Sequence, residues 1–186
     1  VINGSGTVTG LAVGGLPDSI VDADTLASSV NIIKQADVWR MTSHTGNVGS
    51  TATTVANWER MDDASFDKIG TGVSESSGLF SFPVTGIYEV TFYGICQARD
   101  GAVTQGIVQL ESTRNNGSAY DTFGSGEFSA LVNNVNMVAI QVLFDITDVS
   151  NHKFRIRIST GANSIRLLGD TDYNRTSLRI IRLGDT

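Results

Sequence analysis

An all-β fold of the jelly-roll sandwich type is predicted by three features of the sequence. First, from Ala36 onward the apolar residues recur with a period of two. In "FRIRIS", Phe154, Ile156 and Ile158 alternate with Arg155 and Arg157, the pattern of a half-buried strand. Second, turn-forming groups break these runs at short intervals: "TGN" at 45–47, "PVTG" at 83–86, "RDGA" at 99–102, "RNNG" at 114–117, "TGAN" at 160–163 and "GDTDYN" at 169–174. Third, no amphipathic helix longer than two turns is legible. Roughly ten short strands at such spacing fit a sandwich closed as a jelly roll.

Taken in order, the chain opens on a different zone. Residues 1–35 hold no aromatic residue and one basic residue, Lys34. Val8, Leu11, Val13, Leu16, Ile20, Val21, Leu26, Val30, Ile32 and Ile33 recur without a heptad, and Gly14, Gly15 and Pro17 break any helix. Asp24 is placed to cap a short turn from Thr25 to Val30. Such a segment buries little alone. It is either a linker or, as its β-branched and Leu residues favour, an extended oligomeric stalk preceding a knob domain at 36–186. A chain opening on Val1 rather than Met is expected to be part of a longer product.

Strands are expected at about 36–43, 58–61, 66–70, 78–83, 86–97, 102–112, 137–147, 152–159, 164–169 and 176–183. A long insertion, 113–136, would lie between two of them. In "GLFSFPVTGIYEV" Pro83 ends pairing because it lacks an N–H, and Gly86 permits a reversal. Leu79–Phe82 and Ile87–Phe92 are therefore expected to fold on each other. The strand at 86–97 is apolar on both faces: Tyr88, Val90, Phe92 and Cys96 on one, Ile87, Tyr93 and Ile95 on the other. "TSLRIIRL" repeats this with Leu178, Ile180 and Ile181. One face meets the opposite sheet; the other needs a second copy of the chain. Tyr88, Phe92, Tyr93, Ile95, Leu178 and Ile180 are the candidates for core and subunit packing. Trp39 and Trp58 are expected in the core or the interface.

The chain has 186 residues, 40% of them apolar and 17% charged, enough for one core. Its net charge of −6 disfavours a nucleic-acid or anionic-membrane surface. No apolar run is long enough for a membrane-spanning helix, and no signal peptide is legible. One cysteine, Cys96, forbids an intrachain disulfide and reads as a small buried hydrophobe. His44 and His152 have no second ligand at metal-like spacing, and no nucleophile-elbow or paired-cysteine motif occurs. "GSGTVTG" at 4–10 is followed by no phosphate-binding helix. Asp18, Asp22 and Asp24 lack the rhythm of a calcium loop, and Asp170 and Asp172 read as solvated turn acids. The sequons at Asn116 and Asn174 carry no weight of their own. Neither catalysis nor a cofactor nor a metal is expected.

Two resemblances add to this. "GLFSFPVTGIYEVTFYG" resembles the signature of the trimeric jelly rolls typified by tumour necrosis factor and the globular head of the first complement component. Gly78, Phe80, Pro83, Gly86, Tyr88, Val90 and Phe92 fill its positions. "IQVLFDITDVSNHKFRI" and "TSLRIIRL" stand where the family's central and closing strands fall. The resemblance implies a homotrimeric knob that works by binding. "INGSGTVTGLAVGGLPDSIVDADTLASSV" is similar to segments preceding terminal knobs in tail fibres of bacteriophages, marine ones notably. Gly15, Leu16, Pro17, Asp18, Val21, Asp22, Asp24, Leu26 and Ala27 match. It implies a virion protein whose stalk meets other virion proteins and whose knob binds a host surface glycan or protein. A head fibre or capsid decoration protein, and a secreted bacterial adhesive module, are the other readings. If strands alternate up and down from 86, the loops 44–57, 98–102, 148–151 and 170–175 share the exposed apex. That apex would carry Arg99, Asp100, Asp148, Asp170, Asp172, Tyr173 and Arg175, with His152 close by. The turns 83–86 and 160–163, and the insertion, would lie at the other end.

Overall fold

A computed structural model of the chain describes residues 33–186. The stalk expectation, its Asp24 cap and its fibre-like segment lie outside the described residues, save Ile33, Lys34 and Gln35. Twelve strands form: β1 (Ala36–Met41), β2 (Thr53–Thr54), β3 (Trp58–Arg60), β4 (Ser74–Ser76), β5 (Leu79–Ser81), β6 (Gly86–Ala98), β7 (Val103–Thr113), β8 (Asp121–Ala130), β9 (Val135–Ile146), β10 (Lys153–Thr160), β11 (Ile165–Leu167) and β12 (Ser177–Gly184). No helix occurs among the described residues.

The strands make two antiparallel sheets packed as a jelly-roll sandwich. In the first, β6 is flanked by β9 on one side and by β11 and β12 on the other, and β12 leads on to β1 and β3. β11 and β12 pair successive stretches of β6, Cys96–Ala98 and Ile87–Tyr93, so they form one interrupted strand. In the second sheet the order is β4-β5-β10-β7-β8, with β2 also on β10. The predicted period holds best in β10, which alternates half-buried and buried positions throughout.

Three expectations are corrected. The strand at 66–70 is absent; only a single bridge joins Ile69 to Ala36, because "FDKIG" offers too few consecutive inward apolar positions. Leu79–Phe82 and Ile87–Phe92 do not pair with each other. β5 lies in the second sheet beside β10 and β6 in the first, so 83–86 is a crossover between layers. Gly86 makes that crossover with a φ of 143°, and a side chain there would strike Arg182 and the Gly184 carbonyl. The insertion at 113–136 is instead a connection, the ten-residue strand β8, and a second turn. Its inward positions are Gly124, Gly126 and Phe128, and two glycines hide the apolar alternation. They are glycine because β9 passes close: a Cβ on Gly124 would meet Ile140, and one on Gly126 would meet Val138.

The core is an aromatic seam between the sheets. Phe80 of the second sheet is fully buried. It meets Trp39 edge-on at 5.5 Å and Trp58 at 5.8 Å from the first sheet, and stacks on Phe154 at 4.8 Å. Phe82 meets Tyr88 at 4.7 Å and Phe144 at 6.2 Å. Both tryptophans thus sit in the core. So do Tyr88, Phe92, Leu178 and Ile180, while Tyr93 is 40% exposed on the outer face of the first sheet and Ile95 is half-buried there. The one buried acid on the inner face, Asp37, is fully engaged. It accepts from Trp39 Nε1 (3.1 Å), Arg60 Nε (2.9 Å) and Nη2 (3.0 Å), and the Val73 amide (3.1 Å). A buried carboxylate is tolerated when paired this completely.

Two outcomes are expected. Phe80→Ala should lower unfolding free energy by about 3–5 kcal/mol, read as a lower denaturant midpoint at unchanged slope. Cys96 is buried in apolar surroundings that push its thiol up to about 12. At neutral pH it should resist a thiol reagent in the native protein and react only on unfolding; rapid native-state labelling would contradict its placement.

Candidate functional site: the loop-bearing end

Strand directions decide which loops meet. β6 runs from Gly86 to Ala98, and β9 returns beside it from Val135, opposite Gln97, to Ile146, opposite Gly86. β10 starts at Lys153, opposite Thr113, and ends at Thr160, opposite Gly106. The connections 99–102, 131–134 and 161–164 therefore gather at one end. The connections 83–85, 114–120 and 147–152 gather at the other. Recognition in such folds is carried by loops on a rigid frame.

The first end is tied together by short polar contacts. The Asn133 amide donates to the Ala98 carbonyl at 2.8 Å and the Arg99 amide to the Ser164 carbonyl at 2.9 Å. Asn163 Nδ2 donates to the Ala102 carbonyl at 2.6 Å, and the Ser164 hydroxyl donates to Asp100. Asn133 and Asn163 both take positive φ, 65° and 60°, which asparagine accepts more readily than most residues. Arg99 Nη1 donates to Asn133 Oδ1 at 3.1 Å. Beside these loops an open groove of about 670 Å³ runs between Val103, Thr104, Leu131, Asn134 and Asn136. The 42–49 segment rises along β11 to this end: Val48 pairs with Ile165, and the Thr160 amide donates to the Gly49 carbonyl.

The eight apical candidates divide. Arg99 and Asp100 stand at this end. Asp148 and His152 stand at the opposite one, which corrects the sequence expectation: β8 does not show in the sequence, and a missed strand inverts the end expected for the connections on either side of β10. The turn 160–163 moves to the loop-bearing end for the same reason. Asp148 is a turn acid. It accepts from Ser150 Oγ (2.6 Å), Asn151 Nδ2 (2.7 Å) and the Ser150 amide (2.9 Å), and these bonds hold its carboxyl down at about 2. His152 is buried and lines a cavity of about 390 Å³ with Ser112, Arg114, Phe123, Phe144 and Asp145.

Asp170, Asp172, Tyr173 and Arg175 belong to the excursion between β11 and β12. It leaves at the level of Ile95, where the Leu168 amide donates to the Ile95 carbonyl and the Asp170 amide to the Met41 carbonyl. It therefore flanks the loop end rather than capping it. Asp170 Oδ1 accepts the Asp172 amide at 2.9 Å, and Tyr173 is exposed. His44 Nδ1 lies 3.2 Å from both the carbonyl oxygen and the amide nitrogen of Gly169. Burial, then the charges of Arg166 and Arg175, lower its pKa.

Asn133, Asn134 and Asn163 stand at this end, whereas the sequence reading puts them at the other. A turn signal is legible around Asn163 in "TGAN", but 131–134 reads only as part of the insertion because β8 does not show in the sequence. No group of three metal-ligating side chains occurs among the described residues.

No protein-family model matches the chain, and no curated protein does. Solved structures do match. A tumour necrosis factor of S. frugiperda, Eiger, aligns with a TM-score of 0.63 at 11% identity, over 81% of this chain and 93% of its own. Murine APRIL aligns with a TM-score of 0.55 at 17% identity, over 80% and 98%. The globular domain of zebrafish complement 1qA aligns with a TM-score of 0.52 at 14% identity, over 82% and 100%. At these identities the likeness is one of fold: the chain has the jelly roll shared by tumour-necrosis-factor and complement-head structures.

Proposed function

We propose that the protein is a virion structural component, a homotrimeric fibre tip that binds the host cell surface through its loop-bearing end without catalysis. The carrying observation is the outer face of the first sheet. Tyr93, Met137 (65% exposed) and Leu143 (62%) stand on it, joined by Leu183. The adjoining β8–β9 edge adds Phe123 and Val132. So much apolar surface calls for a partner. The two patches differ, so copies would meet head to tail, and such contacts close into a ring when the rotation allows. A three-membered ring agrees with the trimeric jelly rolls that the Gly78–Phe92 signature resembles. The bacteriophage assignment rests on the resemblance of residues 2–30 to fibre segments, which would also supply the contact with other virion proteins.

Light scattering on the purified chain should give three times the 19.8 kDa mass of one copy. Tyr93→Asp, which puts a charge on the outer face and leaves the core intact, should give monomer or insoluble protein. An unchanged trimer would remove Tyr93 from the interface. Labelled protein should adsorb to host cells and be displaced by their surface glycan. Binding to capsids with no adsorption to cells would favour a head-decoration role instead.

A further inference from the structure

Arg40, Arg60, Arg155, Arg157, Arg179 and Arg182 each reach a carboxylate. Arg99, Arg114, Arg166 and Arg175 pair with none among the described residues, and of these Arg99 and Arg166 converge on one side chain. Arg166 of β11 lies directly opposite Gln97 of β6. Its Nε donates to Gln97 Oε1 at 3.0 Å, and Arg99 Nη1 approaches the same oxygen at 3.4 Å. Gln97 is held in turn by donating Nε2 to the Asn133 carbonyl at 2.9 Å. Arg99 Nε is buried with no hydrogen-bond partner among the described residues. Burial, then the charges of Arg99 and Arg175, lower the pKa of Arg166. One neutral amide oxygen thus holds two guanidiniums that a third crowds. Like charges repel unless an opposite charge joins them; Asp100 lies on the adjoining loop but is engaged by the Ser164 hydroxyl, and no carboxylate pairs with either guanidinium among the described residues.

We infer that Arg99 and Arg166, oriented by Gln97, form an anion site that takes the carboxylate of an acidic sugar. Guanidinium forks suit a planar oxyanion, which accepts two parallel N–H bonds. The sugar ring has a place beside it. The loop carrying Asn133 continues into Asn134, Val135 and Asn136, which line the open groove with Thr104 and Leu131. Amides and a hydroxyl for ring hydroxyls, with leucine and valine for an apolar ring face, are what such a ligand needs. That the acid belongs to a host glycan rests on the fibre-tip reading; the binding itself does not.

The test is calorimetric titration of the whole protein at fixed ionic strength with sodium glucuronate, sodium acetate, sodium sulfate and neutral glucose. Saturable glucuronate binding stronger than that of acetate or sulfate is expected, with glucose inert. Arg166→Gln and Arg99→Gln should each weaken glucuronate by about tenfold or more, Arg166→Lys should recover part of it, and Arg114→Gln, at the opposite end, should leave it unchanged. Equal binding of all three anions would overturn the sugar acid. So would an absence of any saturable anion. Conversion of the oligomer to monomer by Arg166→Gln without anion binding would assign the arginines to a sister subunit's carboxylates. Glucuronate binding without adsorption to cells would remove the host role and leave the site standing.

Discussion

The contact of Phe80 with Trp39, Trp58 and Phe154 is the constraint on which the rest depends. It joins a short strand of one sheet to two strands of the other and to a central neighbour in its own. Aromatic pairs add about 0.5–1.5 kcal/mol each beyond burial, and here several share one ring. Because β5 has only three residues, backbone pairing alone would hold it poorly. Side-chain burial fixes it, and with it the crossover at Pro83–Gly86 that sends the chain from one layer to the next. Every later strand inherits its sheet from that crossing.

The two layers are used differently. The second sheet keeps its outer face polar, with Glu111 paired to Arg155 and Arg157, and Arg155 lying 3.4 Å over the Tyr120 ring. The first sheet does not. Its outer face places Tyr93, Met137 and Leu143 around the Glu89–Arg179 pair. A face of that kind is costly against water and favourable against protein. The asymmetry between layers is one of surface chemistry: one sheet turns paired charges outward and the other turns large apolar side chains outward.

Charge is distributed with the same economy. The buried acid Asp37 has four donors, and half-buried Asp148 has three. By contrast, two arginines at the loop-bearing end, Arg99 and Arg166, share one glutamine oxygen. Satisfied carboxylates and unsatisfied guanidiniums in one chain point to different demands: the former close turns and layers, and the latter await a group from outside.

Much was legible in the sequence. Period-two apolarity located most strands, and the two-faced pattern of β6 separated Tyr88 and Phe92, which are core, from Tyr93, which is exposed. The Gly78–Phe92 spacing pointed to the jelly roll. Those features are local, since a strand's inward residues are set by alternation along it. What the tertiary structure alone decided was non-local. β8 shows no apolar alternation because two of its three inward positions, Gly124 and Gly126, are glycines, made so by the close passage of β9 in the other sheet. With β8 hidden, the ends of the molecule could not be assigned, and Asp148 and His152 went to the wrong one. Likewise 83–86 reads as a tight turn in sequence, and only the partners of β5 and β6 make it a crossover. The arginine cluster was invisible for the same reason. Arg99 and Arg166 are far apart along the chain, and only the pairing of β11 with β6 brings them together.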